Sequence, residues 1–149
     1  MSYVTKETVW PDVVALNDNV KGVIRLFYEL ADNKEAEAGP RMASEVFTPS
    51  AKFIASNAAF HGKEEISRCR DNAWGEITAR YHQICKVFVS DKECRDLFLL
   101  GAVKMGFANG KVVEADFSAH IVVDAQSAAA GRPRLELMHV FAGSVNAGK

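Results

Sequence analysis

Between residues 80 and 144, apolar and polar positions alternate with a period of two and break only at turn signals. The uninterrupted runs cover residues 80–90, 95–108, 111–124 and 134–144, and each is predicted to be a long strand. Asn109-Gly110, between the second and third runs, is the strongest short-range hairpin signal a sequence offers. The first half follows a different period. Val13, Leu16, Val20, Val23, Ile24, Phe27 and Leu30 recur on one helical face, and Asp12 after Pro11 is placed as a cap, predicting a first helix over about 13–33. Pro40 suits the first turn of a short second helix that runs through Val46 and stops at Thr48-Pro49. A short strand over 51–56 and a third helix over 63–77 follow, the helix carrying Ile66, Cys69 or Arg70, Ala73, Trp74 and Ile77 on one side and Glu64 and Glu65 at the positive end of its dipole. Residues 1–12 keep no period and read as an extended arm anchored by Trp10, and 125–131 read as a small-residue loop.

Helices first and an antiparallel meander last predict an α+β fold: one curled antiparallel sheet laid over three N-terminal helices. The curved end of such a sheet leaves a cavity, and a function would sit there. At 149 residues the chain fits one domain, 1–149, and a domain of this size buries roughly 70% of the surface of its unfolded chain, so it needs no metal or disulfide.

The balance of 18 Lys and Arg against 19 Asp and Glu, with no basic stripe, argues against a nucleic-acid partner. Cys69, Cys85 and Cys94 match no zinc or redox spacing and are expected to be buried free thiols. No apolar stretch approaches the length that spans a bilayer and no leader pattern opens the chain, so the expected location is cytoplasmic and no membrane partner is expected. Strands with two largely apolar faces predict a homodimer through the exposed face of the sheet.

Several residues could carry chemistry. His82, near the start of the first long strand, would exchange protons near neutral pH if it faced the cavity; the other account is a structural histidine at a sheet edge. Alternation puts Glu114, Asp116, Ser118 and His120 on one face of the third run and Val113, Ala115, Phe117, Ala119 and Ile121 on the other. The polar row either meets water or lines a polar cavity, where Asp116 beside an imidazole would form an acid–base pair. In the last run Glu136 or His139 could point inward, but strict alternation forbids both. Lys104 could polarise a ligand, Arg41 could clamp one at the rim, and Tyr28 and Trp74 could wall a pocket; each also fits a purely structural role. There is no glycine-rich phosphate loop, His-Glu-x-x-His or Gly-x-Ser-x-Gly, and nothing indicates an organic cofactor or a metal.

The layout resembles the nuclear-transport-factor-2-like (NTF2-like) and SnoaL-like superfamily of cone-shaped α+β proteins. The residues that carry the likeness are Phe60-His61-Gly62-Lys63-Glu64-Glu65-Ile66, Ala73-Trp74, Lys86-Val87-Phe88, Gly101-Ala102-Val103-Lys104 and Asn109 to Glu114. Within that superfamily, Tyr28-Glu29-Leu30-Ala31-Asp32 is similar to the first-helix segment of scytalone dehydratases. The same resemblance places His82 at the first catalytic histidine and Asp116 at a substrate-binding asparagine. Lys34 and Glu35 stand where those enzymes have a tyrosine–aspartate pair, and their second histidine falls near Gly106 or Phe107. The resemblance implies a cofactor-independent isomerase, cyclase or dehydratase acting on a hydrophobic polyketide- or terpenoid-like small molecule, with His82 and Asp116 as its acid–base pair and Arg41, Lys104 and Glu136 as secondary contacts. A non-catalytic binding or dimerisation module of the same fold is the alternative.

Overall fold

The computed structural model describes residues 2–147, with side chains described through residue 143. Its elements in chain order are α1 (Asp18–Ala31), α2 (Ala38–Arg41), a π-helical turn (Met42–Val46), β1 (Phe47–Ile54), β2 (Ala59–His61), α3 (Gly62–Ser67), β3 (Ile77–Val89), β4 (Asp96–Phe107), β5 (Val112–Val123), α4 (Ala125–Ala129) and β6 (Leu135–Ala147). The strands form one curved, open sheet in the order β2-β1-β6-β5-β4-β3, and the fold is α+β as expected.

Strands β3 to β6 form the predicted meander, each antiparallel to the next. The β4–β5 turn uses Gly110 at φ 85°, where a side chain would be strained, and Asn109 accepts the Lys111 N–H at 2.9 Å. The sheet is not wholly antiparallel, because β1 runs parallel to β6. β1 also starts earlier than expected and includes Pro49; its pairing with β6 shifts register between Phe47 and Lys52, a bulge where a residue without an N–H costs no ladder bond.

Helix α1 begins five residues later than the hydrophobic spacing suggests. Asn17, not Asp12, caps it, accepting the Asn19 N–H at 2.7 Å, and Val13 is left exposed. Its buried face, from Val20 through Ile24 and Phe27 to Leu30, packs on the inward residues Leu97, Leu99, Ala119, Ile121 and Met138 of the sheet. Helix α3 stops at Ser67 rather than continuing to residue 77. The following N–H groups bond three residues back, Cys69 to Ile66 and Asp71 to Arg68, giving tight turns that bring Cys69 and Arg70 inward. The expected loop at 125–131 contains the short α4, capped by Asp124 at Ser127 N–H.

The N-terminal arm lies along the free edge of β3. Ile84 N–H donates to Val4 C=O, Val9 N–H to Cys85 C=O and Val87 N–H to Val9 C=O, so the arm occupies an edge that would otherwise offer bare backbone groups. Val4 is buried, and Trp10 packs partly against the core beneath the Lys21 ammonium.

Candidate functional site

The site is built where β3 passes the C-terminal end of α1. Residues 80, 82 and 84 share the inward face of β3, since Arg80, His82 and Ile84 pair with Met105, Val103 and Gly101 on the inward face of β4. His82 therefore points toward the helices, where Asp32, the residue that ends α1, meets it. His82 Nδ1 lies 2.5 Å from one Asp32 carboxylate oxygen, and the side chains are 15% and 4% exposed. The other oxygen accepts the His82 backbone N–H and the Tyr3 hydroxyl, each at 2.8 Å. A carboxylate oxygen can only accept from the imidazole, so the short contact corresponds to the tautomer with the ring proton on Nδ1, which leaves Nε2 as the free nitrogen.

His82 forms part of the wall of a cavity of about 540 Å³ inside the cone. Much of the rest is apolar: Phe27, Phe53, Phe60, Val103, Met105, Phe117 and Val140. The imidazole clusters with two rings, Tyr28 at 5.0 Å and Phe117 at 5.3 Å between centroids. The Tyr28 hydroxyl is buried and has no hydrogen-bond partner, and burial, with the Asp32 charge adding to it, raises its pKa and keeps the phenol protonated. Burial and then its hydrogen bond to Asp32 do the same for Tyr3. Arg70 and Arg80 complete one side of the wall.

Among the residues the sequence singles out, His82, Tyr28 and Asp116 line this cavity. Asp116, however, is not the carboxylate on His82; that partner is Asp32. Asp116 is exposed where β5 and β6 shift register between Ala115 and Phe117. Trp74 is set back from the cavity, with Lys34 and Arg80 over its ring at 5.3 and 4.7 Å. The rest lie elsewhere. Arg41 pairs with Glu45 at 2.6 Å on the helical surface. Lys104 pairs with Glu114 at 3.3 Å over a separate hollow of about 480 Å³ on the outer face. His120 pairs with Asp96 at 2.6 Å, and that bond holds the Asp96 carboxyl below its usual range. Glu136 pairs with Arg95 at 3.0 Å, and His139 stacks on Phe141 at 4.2 Å. Glu114 and His120 of the polar row of β5 thus lie on the convex face, tied into surface pairs, while Asp116, at the register shift, borders the cavity.

The residues that sequence reasoning missed are Asp32, Tyr3, Arg70 and Arg80. A signal existed for the first: an acid at a helix C-terminus opposes the helix dipole and needs another reason to be there. Among the described residues no three His, Cys, Asp or Glu side chains group as a metal site, and no helix is long and apolar enough to cross a membrane.

The cysteines differ from expectation in one respect, since Cys85 is exposed while Cys69 and Cys94 are buried. Burial pushes the Cys69 thiol up to about 11, and its sulfur lies 3.6 Å from the Met42 sulfur. Cys69→Ser is expected to cost about 1–3 kcal/mol, because a hydroxyl there has no matched partner, whereas Cys85→Ser should fall within about 0.5 kcal/mol. Urea denaturation of the two variants measures the difference.

The arrangement of a curled sheet over α1 is shared with solved structures over most of the chain's length. A type 2 hexachlorocyclohexane dehydrochlorinase (LinA) is similar with a TM-score of 0.69 at 9% identity, over 87% of this chain and 86% of that one. An NTF2-like protein of unknown function from Exiguobacterium sp. 255-15 is similar with a TM-score of 0.63 at 14% identity, over 82% of this chain and 98% of that one. The chain has the NTF2-like fold. Another NTF2-like neighbour is a candidate scytalone dehydratase from Novosphingobium aromaticivorans, similar with a TM-score of 0.64 at 6% identity over 89% of this chain and 87% of that one. No protein-family profile and no curated protein matches the sequence. Identities this low speak for the fold, and chemistry must be argued from the cavity.

Proposed function

We propose that this NTF2-like chain is a cofactor-independent enzyme that moves a proton on a hydrophobic small molecule held in the cone. The observation that carries the reading is the buried Asp32–His82 pair at 2.5 Å in the wall of a largely apolar cavity. With Nδ1–H donated to Asp32, His82 Nε2 takes a proton from a carbon acid and Asp32 stabilises the imidazolium that forms. Return of that proton to a neighbouring carbon is an isomerisation; its delivery to a leaving oxygen is a dehydration. A cyclisation follows if the carbanion attacks a carbonyl of the same molecule. The protonated Tyr28 phenol beside the imidazole is the donor placed to meet a developing oxyanion. Two of the fold's neighbours, a dehydrochlorinase and a candidate scytalone dehydratase, are named for eliminations, and others are a candidate isomerase and candidate polyketide cyclases; a polyketide- or terpenoid-like ring system suits the aromatic wall.

The test uses 2-tetralone, an apolar ketone with acidic α-protons, incubated with the protein in D₂O and followed by proton NMR. Deuterium uptake above buffer that is lost in His82→Ala supports the reading. Uptake no faster than buffer, or unchanged in His82→Ala, overturns it and leaves a binding module of the same fold.

We further infer that two copies associate through the convex sheet face. Phe88, Phe98, Leu100 and Phe141 are 38–44% exposed there on β3, β4 and β6, and the Phe98 and Phe141 rings lie 6.5 Å apart across β5. An apolar patch on this scale favours a covering partner. Sedimentation should give a species near twice the chain mass of 16.3 kDa, and Leu100→Asp should return it to the monomer; a wild-type monomer at micromolar concentration refutes the association.

A further inference from the structure

We infer that the molecule bound in the cone carries an anionic headgroup, a carboxylate or a phosphate on an apolar body, and that Arg70 and Arg80 hold it; this rests on reading the cavity as a substrate site. The two arginines wall the same cavity as His82. Each makes one hydrogen bond to a backbone carbonyl, Arg70 Nη2 to Ala31 at 2.6 Å and Arg80 Nη2 to Ala73 at 2.8 Å. Neither lies within ion-pair distance of a carboxylate among the described residues, whereas Arg41, Arg68 and Arg95 pair with Glu45, Glu64 and Glu136. Arg70 Nε and Arg80 Nη1 are enclosed and have no partner, so neither guanidinium is saturated.

Two half-buried guanidinium groups without a carboxylate partner, only Arg80 having an aromatic ring beneath it, are costly to the empty protein. Burial lowers the pKa of both, and burial together with the Arg70 charge brings Arg80 down to about 10. The Asp32 charge offsets part of the burial on both arginines, but its oxygens are already taken up by hydrogen bonds to Tyr3 and His82 and form no pair with either guanidinium; Asp116 is exposed to solvent, where its field is screened. A ligand oxyanion would supply that pair. The planar fork of arginine matches carboxylate and phosphate oxygens, and the aromatic stretches of the wall fit an apolar remainder. Arg80 stands two residues before His82 on one face of β3, a rise of roughly 7 Å. The headgroup would then place a carbon a few bonds away beside the imidazole.

The experiment is calorimetric titration of 2-naphthoate, 2-naphthyl phosphate and the neutral methyl 2-naphthoate into the wild type, Arg70→Gln, Arg80→Gln and His82→Ala. The acid, the phosphate or both should bind about tenfold or more tightly than the ester. Each glutamine variant should weaken anion binding about tenfold while leaving the ester unchanged. His82→Ala should retain it. Which anion binds identifies the headgroup. Equal affinity for ester and acid, unchanged anion affinity in both glutamine variants, or no anion binding at millimolar concentration overturns the inference. If Arg80→Gln fails to fold by circular dichroism, Arg80→Lys keeps the charge and should still prefer acid to ester; an equal preference overturns the inference. Arginine dependence without tetralone exchange would leave the anion site standing and remove the proposed reaction; exchange without arginine dependence would do the reverse.

Discussion

Asp32→Asn is expected to slow proton exchange by about 10²–10⁴-fold, the range that separates a positioned base from a misoriented one. The carboxylate accepts from His82 Nδ1, His82 N–H and Tyr3 Oη with its two oxygens. An asparagine has one such oxygen. If it faces the backbone and Tyr3, its NH₂ meets the imidazole and forces the ring proton onto Nε2, which removes the free lone pair from the cavity. If it faces the imidazole, the His82 N–H on the free edge of the sheet loses its acceptor, a cost of about 1–3 kcal/mol. Nitrogen NMR of His82 separates the two, because a purely structural role would leave the tautomer on Nδ1. His82→Ala should be at least as slow, and Asp32→Asn with His82→Ala should lose little beyond it, since members of one proton-transfer unit are not additive. Asp116→Ala, at an exposed position without a bond to the imidazole, should leave exchange within a few-fold of wild type.

Gly101→Ala should strike both the fold and the site. A Cβ at residue 101 would lie 2.3 Å from Phe117 Cζ and 2.8 Å from the Gln83 carbonyl oxygen. The oxygen belongs to the β3 backbone, which is paired residue by residue with β4 around it. The ring is buried, with Tyr28 at 5.4 Å and His82 at 5.3 Å between centroids. The backbone oxygen does not yield freely, so overpacking should cost about 1–3 kcal/mol, or roughly 3–10 °C in Tm for a chain of this size. Phe117 lines the cavity beside the imidazole and the phenol, so displacing its ring disturbs the site and exchange should fall as well. Adding Phe117→Leu should recover part of the stability, because the two changes share one contact. A Tm within 1 °C of wild type for Gly101→Ala would mean that the sheet accommodates the methyl group and that Gly101 does not position the site.

The sequence alone determined those parts of this protein that depend on neighbours along the chain. The four long strands were legible because alternation over about a dozen residues has few competitors, and the Asn109-Gly110 turn because few residue pairs suit positive φ. The buried face of α1 was legible for the same reason, while its start was not: Val13 keeps the helical spacing, but the local cap is Asn17. Helix α3 was overextended because Ala73, Trp74 and Ile77 continue a spacing that tight turns interrupt at Arg68. The parallel pairing of β1 with β6 joins segments more than 80 residues apart, which no local pattern encodes.

The site divides along the same line. Alternation separated His120 from Phe117 and Ala119 and His139 from Met138, but it could not say which group faces the helices, because a period of two is blind to the direction of curl. Tertiary structure decided that: α1 covers the face carrying Phe117 and Ala119, so the row with His120 turns outward into surface ion pairs. It also decided the partner of His82. Asp32 lies 50 residues away in sequence, and only the packing of the end of α1 against the edge strand, with Tyr3 of the arm closing over it, brings the carboxylate to the imidazole and takes it out of water.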